Sequence, residues 1–175
     1  MACLLFTDIV DSTLLTERLG DARAAQFWLE HHRRARDLLV VHHGQEVDSS
    51  DGFFMLFDAI ADAARYALAY HRTLADLGAT ARAGLHEGPV TVTRNSADDV
   101  ARGAKRMEVQ GLAKAFAARV MGLAGGGQTL LSESARQALV AAAPSDVAIE
   151  SHGHFKLKGV EEPVEIFELG QPDSA

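Results

Sequence analysis

Cysteine is nearly missing from this sequence: Cys3 is the only one. No intramolecular disulfide is possible, which excludes a disulfide-stapled secreted scaffold and fits a reducing compartment. Long apolar runs are missing too, and none approaches the roughly 18 residues a membrane-spanning helix needs. The apolar opening at 3–6 is too short for a secretory leader and lacks a basic flank. Positive charge is in deficit, with 17 Lys and Arg against 24 Asp and Glu and a formal net charge of −7. That balance argues against a non-specific nucleic-acid binder and against a polybasic membrane surface. It still permits a polyanion at one local site, where a metal ion reverses the sign. Internal repeats and low-complexity linkers are also lacking. These absences predict a cytoplasmic chain with no nucleic-acid partner and no membrane span.

What is present is an ordinary globular composition: 175 residues, 47% hydrophobic and 23% charged. That length suffices for one domain with a real core. The pattern predicts a domain over residues 1–170 and a flexible tail at 171–175. Residues 3–10 (CLLFTDIV) read as a strand. Two helical stretches follow, separated near Gly20 and Asp21, the second stopping at Gly44. Residues 45–47 and 53–57 read as strands joined by a polar turn at 48–52. A helix over 59–77 ends at Gly78. Residues 81–85 and 89–93 read as a strand pair around His86, Glu87 and Gly88, and 95–105 as a long polar loop. Then come a helix over 111–123, a strand over 128–131 and a helix over 133–142. Two last strands, over 154–158 and 164–169, flank a turn. Hairpins mixed with helices predict an α+β fold, with helices packed on a mostly antiparallel sheet.

Two carboxylates stand out. Asp8 sits inside an apolar strand, where a charge is costly unless paired, hydrogen-bonded or metal-bound. It immediately precedes a helix start at Asp11, Ser12 and Thr13, whose N–H groups suit a phosphate. Asp8 therefore either caps that turn or holds a cation. Asp51 lies before Gly52 in a turn between strands, which by itself is ordinary turn chemistry. If Asp8 and Asp51 meet, they form an oxygen-donor site for two hard cations. Arg119 on a helix reads equally as a snorkelling arginine, and Lys158 as a solvated strand lysine. His86 reads as a packed, hydrogen-bonded histidine. His152 and His154 share a strand face but lack a third ligand, which argues against zinc.

Beyond these residues, ordered blocks of the sequence resemble class III adenylate and guanylate cyclases. Residues 6–13 (FTDIVDST) resemble the F-x-D-I-x-x-[FS]-T opening of that family. Glu46, Val47 and the run 51–54 (DGFF) resemble its second metal-aspartate hairpin. Residues 82–88 (RAGLHEG) resemble its R-x-G-[IL]-H-x-G strand. Gly111 with 117–120 (AARV) resembles its arginine helix. Residues 157–160 (LKGV) and 163–167 (PVEIF) resemble its closing strands. The resemblance covers 4–168 and implies a ferredoxin-like βαββαβ core with a C-terminal αββ extension.

It also implies roles. Asp8, Asp51 and the Ile9 carbonyl would hold two divalent cations, Mg²⁺ or Mn²⁺. The backbone through Val10, Asp11, Ser12 and Thr13 would hold the β- and γ-phosphates. Arg119 would stabilise charge on the α-phosphate, and Lys158 would reach the terminal phosphates. The family's sites form between two antiparallel subunits, so a homodimer is implied, with a nucleoside triphosphate as substrate and a 3′,5′-cyclic nucleotide as product. The base and ribose positions depart from the family pattern. Asp48 and Ser49 stand where a purine-selecting lysine is expected, Glu108 where Asp or Thr is usual, and Ala115 where a ribose-orienting asparagine is usual. ATP is the first expectation, with GTP or a pyrimidine triphosphate as rivals. A chain without turnover, serving as a nucleotide-binding or dimerisation module, is the alternative.

Overall fold

The computed structural model describes residues 1–50 and 52–172. The chain runs β1 (Ala2–Ile9), α1 (Ser12–Leu19), α2 (Asp21–Val41), β2 (Gly44–Ser49), β3 (Phe53–Phe57), α3 (Ile60–Asp76), β4 (Ala81–Gly88) and β5 (Thr91–Arg94). It continues α4 (Ala97–Ala101), β6 (Met107–Gln110), α5 (Leu112–Gly122), β7 (Thr129–Leu131), α6 (Glu133–Ala142), β8 (Ala148–Phe155) and β9 (Val164–Gly170). The main sheet has the order β2-β3-β1-β4-β7-β9-β8. Every pairing in it is antiparallel except β4 with β7. The expected α+β class holds. The first four strands with α2 and α3 make the βαββαβ core, and β7, α6, β8 and β9 extend it.

Side-chain alternation along β1 sorts the core into two layers. Cys3, Leu5 and Ile9 pack with Tyr66, Tyr70 and Ala67 of α3 on one face. Leu4 packs with Phe54, Val109 and Ala117 on the other, where Phe6 joins. By the same period Asp8 shares the face of Leu4 and Phe6, the face that α5 covers. All five residues of β3 are buried, which is why FFMLF is apolar without alternation. Gly84 lets α5 lie on the sheet: a Cβ there would stand 2.4 Å from the Met121 amide nitrogen.

Three expectations need correction. The strand at 89–93 is not the hairpin partner of β4. Instead β4 continues through Gly88, and β5 pairs with β6 in a separate two-stranded sheet. The polar stretch at 95–105 contains the short helix α4, capped by Ser96, whose side chain accepts from the Asp99 N–H. The strand expected over 154–158 is displaced to β8, which ends at Phe155. Lys158, expected on a strand, therefore lies in the turn after it.

Candidate functional site

Asp8 lies at the last-but-one position of β1, half-buried, directly across from Arg82 on β4. The Arg82 guanidinium donates to the Asp8 carboxylate. The charge in the apolar strand is therefore paired. The residue capping α1 is Asp11, which makes no side-chain cap bond, while the Asp8 carboxylate turns to an arginine instead. Arg82 is a residue that sequence reasoning missed. Its signal was available, since aligning the 82–88 strand antiparallel to 2–9 puts residue 82 opposite residue 8.

After Asp8 the chain turns sharply. The Val10 N–H donates to the Thr80 carbonyl at 2.9 Å. Asp11 adopts the left-handed conformation at φ 51° and ψ 46°, a strained state that Asp tolerates better than most residues. The Asp11 carbonyl then accepts from the Leu15 N–H at 2.9 Å, which starts α1. Asp8, Ile9, Asp11, Ser12, Thr13 and Glu17 line one open cleft of about 460 Å³. Of the expected phosphate-holding residues, Asp11, Ser12 and Thr13 line this cleft with Asp8 and Val10 does not, at a helix start whose dipole favours an anion.

The β2–β3 hairpin closes on the same strand end. Asp51 itself lies outside the described residues. Its neighbour Gly52 presses on β1: a Cβ at Gly52 would stand 1.9 Å from the Thr7 carbonyl oxygen and 2.9 Å from the Asp8 Cα. The Phe53 N–H donates to Thr7 Oγ1 at 2.9 Å. A smaller cavity of about 190 Å³ is lined by Asp8, Ser49, Ser50, Gly52 and Met121 among others. Among the described residues no group of three or more His, Cys, Asp or Glu converges. The described part of the expected cation set, the Asp8 carboxylate and the Ile9 carbonyl, stands at this strand end. Those are oxygen donors of the kind Mg²⁺ and Mn²⁺ prefer.

Arg119 and Lys158 form a second grouping. Arg119 is half-buried near the end of α5, and its guanidinium lies against the turn that carries Lys158. A Cβ at Gly159 would stand 3.1 Å from an Arg119 terminal nitrogen. The turn closes when the Val160 N–H donates to the Leu157 carbonyl at 3.1 Å. Leu157 is buried and Lys158 is exposed. Lys156, also exposed, donates to the Glu161 carbonyl. Neither Arg119 nor Lys158 lines the two cavities beside Asp8.

Of the four positions expected at the base and ribose, Asp48 and Ser49 line one cavity, and Glu108 and Ala115 do not. Asp48, Ser49, Lys105 and Arg106 line a cavity of about 780 Å³ between β2 and the approach to β6. Lys105 Nζ donates to Asp48 Oδ2 at 2.9 Å, so a lysine reaches this pocket from a different segment. Hydrogen bonding to Asp48 raises the Lys105 pKa. Glu108 lies on β6, 3.4 Å from the Asn95 side-chain nitrogen. Ala115 is exposed on α5. His86 is packed and hydrogen-bonded as expected, whereas the register shift in β8 between Ser151 and His154 breaks the strand face that His152 and His154 were expected to share. His86 Nδ1 hydrogen-bonds Ser132 Oγ at 2.7 Å and its ring lies 4.6 Å from that of Phe116. Burial pushes His86 down to about 4. His152 pairs with Glu168 at 2.8 Å.

No protein-family model matches the chain, and no curated protein matches it by sequence. Solved structures do match its shape. The adenylyl cyclase CyaB from P. aeruginosa superposes with a TM-score of 0.85 at 18% identity, covering 98% of this chain and 94% of that one. The guanylate cyclase domain of RhGC from Catenaria anguillulae, solved in complex with GTP, gives 0.84 at 14% identity over 98% and 97%. An adenylate/guanylate cyclase/hydrolase from Silicibacter pomeroyi gives 0.74 at 19% over 99% and 97%. At these identities the likeness establishes the fold, which is that of class III cyclase catalytic domains. No helix among the described residues is long and apolar enough to cross a membrane.

Proposed function

We propose that a chain with this fold is a nucleotidyl cyclase, converting a nucleoside triphosphate to a 3′,5′-cyclic nucleotide and pyrophosphate. The observation that carries the reading is the placement of Asp8. It stands at a strand end on the rim of a backbone-lined cleft, with Gly52 of the second motif hairpin pressed against it. In the reaction the ribose 3′-oxygen bonds to the α-phosphorus and the bond to the β-phosphate oxygen breaks. Pyrophosphate leaves, and the hydroxyl proton passes to water. Bound cations would lower the pKa of the attacking hydroxyl and neutralise the leaving pyrophosphate. Asp8, Asp51 and the Ile9 carbonyl are the residues to hold them, as Mg²⁺ or Mn²⁺.

The chain's own residues divide the remaining work. The Val10, Asp11, Ser12 and Thr13 backbone orients the β- and γ-phosphates at the start of α1. Arg119 donates to the charge that builds on the α-phosphate, and Lys158 to the terminal phosphates. Arg119 and Lys158 do not line the cavities beside their own Asp8. Following the shared sites that the resemblance implies, a complete site would take Asp8 and Asp51 from one subunit and Arg119 and Lys158 from an antiparallel partner. Asp48 and Ser49, with Glu108 nearby, face the base, and Ala115 leaves the ribose without a side-chain donor.

The test is to incubate the purified chain with each of ATP, GTP, CTP and UTP plus Mn²⁺ and resolve the products by mass. A cyclic nucleotide from at least one triphosphate supports the reading. The absence of product from all four, together with no metal-dependent nucleotide binding, overturns it. Sedimentation at micromolar concentration checks the dimer, and a strict monomer with full activity would refute the shared site.

A further inference from the structure

One cavity runs against the charge of the whole chain. The net charge is −7. Yet the cavity of about 780 Å³ beside β2 is lined by the cations Arg36, Arg94, Lys105 and Arg106, against the carboxylates Glu46 and Asp48. Both carboxylates are already engaged. Arg36 donates to the two oxygens of Glu46, at 2.7 and 3.2 Å. Asp48 Oδ2 accepts from Lys105 Nζ at 2.9 Å, and Asp48 Oδ1 accepts from the Ser49 N–H at 2.9 Å. Arg94 and Arg106 pair with no carboxylate among the described residues. Two positive charges thus line one cavity with no counter-charge left for them.

Their backbone is held in place. Arg94 ends β5 and stands opposite Met107 of β6, which is buried in the core layer with Leu4 and Phe54. One step further along the ladder, the Asn95 N–H donates to the Arg106 carbonyl at 3.0 Å. The Asn95 side-chain amide donates to the Lys105 carbonyl at 2.6 Å. Residues distant in sequence are therefore gathered at one ribbon end by folding, and a ligand does not bear the cost of gathering them. A guanidinium offers a planar fork of N–H donors that fits two oxygens of a phosphate. Two such forks match the charge of a phosphate dianion. Neither Arg94 nor Arg106 lines the cleft at the start of α1 or the small cavity beside Asp8.

We infer that Arg94 and Arg106 form a phosphate-binding subsite in this cavity, separate from the cleft beside Asp8. The ligand is a phosphate group, carried either by the free anion or by a nucleotide. The cavity is larger than a phosphate alone, which leaves room toward Asp48 and Ser49 for what the phosphate is attached to. The inference goes beyond the proposed function and stands without it, since it needs neither a cation nor turnover.

The test is titration calorimetry of the full chain with inorganic phosphate, and separately with AMP, GMP, CMP and UMP, in low salt with EDTA present to silence any cation site. Arg94→Gln and Arg106→Gln are each expected to weaken binding by about tenfold, the scale of one charge-assisted hydrogen bond. The double variant is expected to lose it. Arg102→Gln removes the same charge at the end of α4, outside the cavity, and is expected to bind as the wild type does. All three arginines are exposed, so the variants keep the fold. A monophosphate that binds about tenfold tighter than inorganic phosphate, with the advantage lost in Asp48→Asn, supports the subsite and makes its ligand a nucleotide. Equal affinities support the subsite and make its ligand the free anion. Wild-type affinity in the double variant, an equal loss in Arg102→Gln, or a wild-type chain that binds none of the probes overturns the inference.

Discussion

The two ends of the candidate site are built differently. The cation and phosphate end rests on the interior: Asp8 is half-buried, its neighbours Thr7 and Ile9 are buried, and Gly52 is wedged against the Thr7 carbonyl. The base end rests on the surface. Asp48 and Lys105 are exposed, and the pair that joins them spans two segments with roughly half of each side chain in solvent. Rigid elements hold reacting groups to fractions of an ångström, whereas exposed loops tolerate substitution. On the proposed function, the end assigned to bond-making is fixed by packing, and the end assigned to the base is free to vary. That contrast matches where the sequence follows the cyclase pattern and where it departs.

The largest expected effect is at Asp8. Asp8→Ala removes a carboxylate on which the cation site depends, and it leaves Arg82 beside an empty partner position. Cyclic product formation should fall by at least about a thousandfold, measured as initial rate with Mn²⁺ at saturating triphosphate. Survival of more than a tenth of the activity would refute the two-metal assignment and make the two ends equal.

Gly52→Ala breaks the tight end sterically. The added Cβ would come 1.9 Å from a backbone oxygen that cannot swing away. Overpacking of this kind costs about 1–3 kcal/mol, or roughly 2–4 °C of Tm per kcal/mol in a chain of this size. Calorimetry checks it, and an unchanged Tm would mean that the hairpin does not seat on β1 this closely.

Much of the tight end was legible in the sequence, because it obeys periodic rules. The apolar run of β1 broken by Asp8, the continuous run of β3 and the motif spacing around Asp8 all announce themselves. Less of the periphery was legible. β8 (AIESHGHF) is a largely exposed edge strand with a register shift between Ser151 and His154, so it lacks the alternation that marks a strand. β5 and β6 are four residues each, and all of β5 is exposed. Short runs such as TVTR carry no directional signal, and their pairing follows from where α4 folds the chain back. The Lys105–Asp48 pair depends on that same fold-back. The Arg82–Asp8 pair was within reach, because cross-strand register alone produces it.

Acid should loosen the core behind the tight end. His31 is pushed down to about 4, chiefly by burial and further by the charges of His32 and Arg36. The unfolded chain takes up this proton near the ordinary value of about 6.5. Between those values the unfolded state binds more protons than the folded one, so stability rises with pH. The contribution is complete above about 6.5 and is lost as pH falls toward 4, with a slope of up to roughly 1.4 kcal/mol per pH unit. His31→Phe should flatten that slope in urea melts taken from pH 7 to 4.5. An unchanged slope would assign the acid sensitivity to other groups.

The smallest expected effect on folding, and the most informative for the base, is at Lys105. An exposed ion pair contributes at most about 1 kcal/mol, so Lys105→Met should shift stability by less than roughly that amount. Its effect belongs to the choice of triphosphate. Asp48 accepts and Lys105 donates, which suits a base edge with a ring or amino N–H beside an acceptor atom. Removing the donor leaves half of that edge unanswered, and a lost hydrogen bond of about 1.4 kcal/mol is a tenfold change in relative kcat/KM. Lys105→Met should therefore compress the ratio between the best and worst triphosphate by about tenfold while kcat for the best one holds. The exchange Asp48→Lys with Lys105→Asp keeps the pair and reverses its polarity. If that double variant retains activity and changes its preferred base, the open cavity of about 780 Å³ is where the base is read. If all four triphosphates keep their ratios in both variants, the pair is only a surface clasp, and base choice must lie with Ser49 and Glu108.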